Sequence, residues 1–141
     1  MDNRPALARL AAAFRDCRYL VEVTDGEIEL RVGQRQRALD ALLRAQGARF
    51  AALLTAANPG ARVTPTRWNA SRHRALLAML RRRGLQGRPT RAVDPLGLWP
   101  DEPGLLVPGI TRSHALVLAH HFRQRALLWC AVGHAPQVLW T

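Results

Sequence analysis

Apolar positions change their period repeatedly along the chain, and each change marks an element. From Pro5 to about Asp16, Leu7, Leu10 and Phe14 recur at helical spacing. A β-branched run follows at Tyr19, Leu20, Val21 and Val23. After Asp25-Gly26, Ile28, Leu30 and Val32 alternate with Glu27, Glu29 and Arg31. Two such runs about Asp-Gly predict a hairpin with strands at 18–24 and 27–32, because both turn residues tolerate positive φ. Leu39, Leu42 and Leu43 stripe a helix over 34–46, which Gly47 ends. The continuous apolar run at 50–55 reads as a buried strand stopped by Asn58-Pro59-Gly60.

Thr64 then reads as the cap of a long helix with Pro65 at its first position. Trp68, Ala75, Leu76, Met79 and Leu80 form its inward stripe, and Gly84 ends it. A strand is expected at 88–93, a Pro/Gly-rich loop at 94–104 and a short strand at 105–107. Thr111 caps a helix to about 124, and strands at 126–132 and 137–140 complete the chain. The order α-β-β-α-β-α-β-β-α-β-β predicts one α+β domain over 1–141, a mixed β-sheet with helices packed on it. Trp68, Leu76, Leu80, Leu105, Leu118, Phe122 and Leu128 are the expected core.

Composition narrows the classes of protein this can be. At 141 residues and 48% hydrophobic content the chain can bury a core without staples. No apolar run reaches the roughly 18 residues of a membrane span. Residues 1–15 carry Asp2, Arg4, Arg9 and Arg15 and lack a leader's apolar stretch, so the cytoplasm is the expected compartment. Two cysteines, Cys17 and Cys130, are too few for a disulfide framework and lack metal-knuckle spacing. His120 and His121 are adjacent on a helix and diverge by about 100°, so no metal site is expected there. Phosphate-loop, dinucleotide and nucleophile-elbow motifs are absent, and no cofactor is expected.

Charge adds more. The net charge is +11, and all 21 basic residues are arginine. Residues 1–40 hold seven arginines and seven acids, and residues 94–141 hold three of each. Residues 41–93 hold eleven arginines and no acid. A coding bias toward arginine does not explain where acids are missing, and that stretch attracts anions whatever its origin. Arg67, Arg74, Arg81, Arg82 and Arg83, with Arg88 and Arg91 beyond, are the expected polyanion patch.

Polar residues at element ends form a second group of candidates. Thr55 and Asn58 close one strand. Asn69 and Arg72 stand three apart on the long helix. Glu102 precedes a strand in an otherwise acid-poor region, and Gln124 closes a helix. Element ends converge where clefts open at a sheet edge. Asn and Gln there recognise polar edges, Arg72 suits a phosphate or carboxylate, and Glu102 is the one candidate acid or base.

These residues sit in short segments: Leu54-Thr55-Ala56-Ala57-Asn58-Pro59; Asn69 and Arg72 with Leu76 and Leu80; Asp94-Pro95, Gly97 and Trp99; Glu102 through Val107, with Gly109 and Ile110; and Phe122, Gln124, Ala126 and Trp129. In this order they resemble the bacterial domain-of-unknown-function family 3293, over residues 48–140, with residues 1–47 packed onto that region. The resemblance implies no established activity; it singles out Thr55, Asn58, Asn69, Arg72, Glu102 and Gln124 as ligand-binding candidates. Ala57 stands where that family commonly has an aromatic, and Gly104 where it often has serine. Three functions follow as expectations: a binding module for nucleic acid or a nucleotide, weak and without sequence preference; a protein-interaction or regulatory subunit; and a small enzyme on an anionic substrate using Glu102.

Overall fold

The structure, a computed structural model, describes residues 2–141. Its elements follow the expected order: α1 Arg4–Asp16, β1 Arg18–Val23, β2 Gly26–Leu30, α2 Arg37–Ala45, β3 Phe50–Leu54, α3 Thr66–Arg82, β4 Arg88–Val93, β5 Glu102–Pro108, α4 Arg112–His121, β6 Ala126–Ala131 and β7 Gln137–Trp140. A single turn of 3-10 helix, Pro59–Ala61, stands between β3 and α3. The fold is α+β. Its seven strands form one sheet in the order β2-β1-β4-β5-β3-β6-β7. All pairs are antiparallel, so the sheet expected to be mixed has no parallel pair among the described residues.

β3 explains why its segment reads as a continuous apolar run. It lies between β5 and β6, and Ala51 through Leu54 are all buried. Ala52 and Leu54 face a cluster with Leu76 and Leu80 of α3, Leu118 of α4, Phe122, and Leu105 and Val107 of β5. Ala51 and Leu53 face the other cluster, with Tyr19, Val21, Leu30, Leu39, Leu43, Leu106 and Leu128. Both faces of the central strand are thus covered, α3 and α4 on one side and α2 on the other.

α1 is attached differently. None of its residues is fully buried, and Phe14 meets Trp140 of β7 edge-on at 5.9 Å. Phe14 lies only four residues before β1, and the Gly33 amide after β2 donates to the Pro136 carbonyl before β7 at 2.9 Å, so the sheet curls its two edges toward each other and the end of α1 sits where they meet.

Several boundaries, one core residue and one further residue of the expected α3 stripe, Ala75, which is exposed, differ from the expectation. The hairpin turns one residue early, on Thr24 and Asp25, and Gly26 already pairs with Val23 at φ 139°. β5 begins at Glu102, so Glu102 is a strand residue rather than a loop residue. Thr64 does not cap α3; Pro65 takes the cap position, and the Thr64 amide is bound elsewhere. Trp68 is 58% exposed rather than core. It lies about 80° around the helix from Leu76, and the inward positions of that first turn belong to Asn69 and Arg72. The other six expected core residues, Leu76, Leu80, Leu105, Leu118, Phe122 and Leu128, are buried.

Candidate functional site

The chain leaving β3 is held in an uncommon backbone path. Asn58 adopts left-handed φ/ψ of 50° and 58°, and Ala61 also has positive φ. Asn tolerates this region better than most residues. The conformation carries the Asn58 side chain into a buried network. Its Oδ1 accepts from the Thr64 amide at 2.9 Å and from Asn69 Nδ2 at 2.9 Å. Its Nδ2 donates to Glu102 Oε2 at 2.9 Å, and its own amide donates to Asn69 Oδ1 at 2.9 Å. Asn69 Nδ2 also reaches the Thr64 carbonyl.

The remaining candidates surround this knot. Thr55 Oγ1 donates to the Pro103 carbonyl at 2.9 Å and accepts from the Ala57 amide. Arg72 donates to the carbonyls of Ala56 and Phe122, both at 2.7 Å, with its guanidinium over the Phe122 ring. Gln124 Nε2 donates to the Ala57 and Phe122 carbonyls. All six sequence candidates therefore converge on the exit of β3, and their hydrogen bonds run to one another and to main-chain carbonyls and amides. Together they fasten α3 and the end of α4 to the sheet.

Glu102 is the titratable member. Burial pushes its carboxyl above the ordinary 4.5, against the hydrogen bond from Asn58, which pulls it down. The single Thr55 hydroxyl proton points at Pro103 O, so Asn58 is the donor on which the carboxylate relies. Packing around β5 is close: a Cβ at Gly104 would lie 2.8 Å from both the Leu54 carbonyl and Thr90 Oγ1. The two best-formed surface depressions, about 340 and 530 Å³, include none of the six residues.

The arginines of α3 other than Arg72 lie on the opposite side of that helix. Arg67, Arg74 and Arg81 are seven residues apart and form one exposed stripe, with Arg82 and the C-cap Arg83 beside its end. Ala70, Ser71 and Ala75 are the exposed residues between them. None of these five arginines is ion-paired among the described residues. The expected patch loses two members. Arg91 is neutralised by Glu27 at 3.3 Å and Asp101 at 3.2 Å. Arg88 is half-buried on β4, pairs in register with Leu106 of the other cluster, and donates to the Gln46 amide when that group is turned to accept. The two depart for different reasons: standing three apart on β4 they face opposite sides of the sheet, Arg88 with Leu106 on the α2 face, and Arg91 on the face of Leu105 but neutralised there by its two carboxylates.

Sequence reasoning placed a loop at 94–104 but missed two exposed apolar features, one of them on that loop. One is Trp68 itself. The other is the loop at 94–101, where Asp94 accepts from the amides of Leu96, Leu98 and Trp99 at 2.9–3.2 Å and holds Leu96 and Leu98 outward, each 77% exposed. A periodicity argument assigns such residues to a core; the one available signal was the Asp-Pro-x-Gly spacing, which marks a turn rather than a strand.

An antiparallel α+β domain with a polar knot at its central strand exit, and an arginine-bearing helix fastened by that knot, is the class these observations define. The chain belongs to the family described as Protein of unknown function (DUF3293), which it matches over residues 54–127. That span contains all six knot residues, the whole of α3 and the 94–101 loop; it is narrower than the 48–140 expected. No curated protein and no solved structure matches the chain. Among the described residues no helix is long and apolar enough to cross a membrane, and there is no cluster of metal-ligating side chains.

Proposed function

We propose that this protein binds nucleic acid through the outward face of α3, without sequence preference, in the bacterial cytoplasm. One observation carries the reading: α3 and α4 form a helical layer with no carboxylate, on which Arg67, Arg74, Arg81, Arg82 and Arg83 stand exposed and unpaired while Arg112 is added from α4. Guanidinium groups free of internal partners are available to phosphates, and their binding releases condensed counterions. The knot of Asn58, Asn69, Glu102, Arg72, Thr55 and Gln124 supports the reading by fixing the helix rigidly on the sheet. Both cysteines are free thiols, which suits a reducing compartment.

Titration of labelled oligonucleotides at low and near-physiological salt tests this. Affinity is expected to fall steeply with salt. The triple variant R67Q/R74Q/R81Q is expected to weaken binding to every sequence alike and to flatten the salt slope by about 1 for each phosphate left without its arginine. Absence of binding at low salt, or a triple variant that binds as the parent does, overturns the reading. It would leave the arginine surplus a matter of composition and favour protein docking, for which the apolar loop at Leu96, Leu98 and Trp99 is the specific observation.

A further inference from the structure

Trp68 stands on the first turn of α3 beside Arg67 and is 58% exposed. Two of the other tryptophans are engaged: Trp129 stacks on Phe50 at 5.4 Å, and Trp140 meets Phe14. Trp68 has no aromatic partner among the described residues. Along the helix its neighbours at positions 71, 72 and 75 are Ser71, Arg72 and Ala75. Ser71 and Ala75 are small, and the Arg72 guanidinium is drawn inward to the Ala56 and Phe122 carbonyls, away from the indole. The turn beneath it is immobilised, because the adjacent Asn69 makes three hydrogen bonds to Asn58 and Thr64.

We propose that the α3 face prefers single-stranded to duplex nucleic acid, with Trp68 as a platform on which one base stacks. The proposal rests on the reading of α3 as a nucleic-acid surface and names the substrate class it takes. A large exposed indole costs solvation unless something covers it, and Arg67 beside it opens the arginine stripe that selects an anionic partner. In a duplex the base faces are occupied by their neighbours, whereas an unpaired base offers its face at no unstacking cost. Base–indole stacking is indifferent to base identity, so sequence preference stays low.

The test uses the full chain with a labelled twenty-nucleotide oligo(dT) and a labelled duplex of the same length at one salt concentration. Wild type is expected to bind oligo(dT) more tightly, with quenching of tryptophan fluorescence. Trp68→Ala is expected to lower oligo(dT) affinity at least about fivefold while leaving duplex affinity unchanged, and Trp68→Phe to restore most of the loss. An unchanged oligo(dT) affinity in Trp68→Ala, or an equal loss for both probes, overturns the proposal. Failure of the underlying reading looks different: neither probe binds wild type at low salt, or R74Q/R81Q leaves both affinities unaltered.

Discussion

Arg123 occupies the left-handed position that follows α4, at φ 56°. The same position after α2 and α3 is held by Gly47 and Gly84, at φ 69° in both. All three ends make the same paired bonds; after α4 these run from Arg123 N to His120 O and from Gln124 N to Ala119 O. A side chain in this region costs roughly 1 kcal/mol that glycine does not incur. Arg123→Gly is therefore expected to stabilise the fold by about 1 kcal/mol and raise the midpoint by roughly 3–5 °C in a thermal melt. Two carboxyls give opposite pH behaviour. Burial alone would raise Asp40, yet the Gly133 amide, the Arg35 hydrogen bond and the charges of Arg35 and Arg44 hold it below its ordinary 3.8. Its folded form is the more acidic, so its stabilisation is present above that value and fades as pH falls through the folded pKa. Glu102 is raised above 4.5, so the folded state keeps its proton longer, and stability declines as pH climbs from there through the folded pKa. Urea titrations across acid to neutral pH are expected to show Asp40→Asn destabilised at neutral pH, and Glu102→Gln at least as stable as the parent there.

At the scale of elements, α3 displays what a hydrophobic pattern encodes and what it omits. Leu76 and Leu80 are buried on its inward line, so Leu76→Ala is expected to cost about 2–5 kcal/mol. Trp68→Ala is expected to change stability by less than about 1 kcal/mol, since the indole is mostly solvated. A large loss on removing Trp68, measured by denaturant unfolding, would return it to the core. The helices, their order and the buried strand β3 were legible because local periodicity and Gly stops encode them. The misassignment of Trp68 has a physical cause. The inward line runs on from Leu76 to Arg72 and Asn69, where the ground beneath the helix is the polar exit of β3 rather than apolar sheet. Periodicity places the ring inside only if polarity is assumed to mean surface, and at Asn69 and Arg72 it does not. The convergence of the six polar residues was legible from their positions at element ends. That their hydrogen bonds satisfy one another was not, because it depends on the left-handed turn at Asn58 that brings the side chain inward.

For the molecule as a whole, strand order lay beyond the sequence. β1 pairs with β4, and β3 inserts between β5 and β6, pairings that no local pattern specifies. Charge separation was legible as composition but acquires a direction only in the fold. Carboxylates gather on α1, the β1–β2 hairpin, α2 and the β4–β5 connection through Glu102, while α3, α4, β6 and β7 hold none. The contact of α1 with β7 has a consequence in time. Phe14 meets a residue 126 positions further along the chain. At the pace of a ribosome, roughly 5–20 residues per second, α1 emerges about 6–25 s before Trp140 exists for it to touch. In that interval Leu7, Leu10 and Phe14 form a greasy, unclaimed stripe on the nascent chain, with only Arg9 and Arg15 interleaved to keep it from sticking elsewhere. The helix made first thus waits on the last strand for the aromatic contact that Phe14 makes.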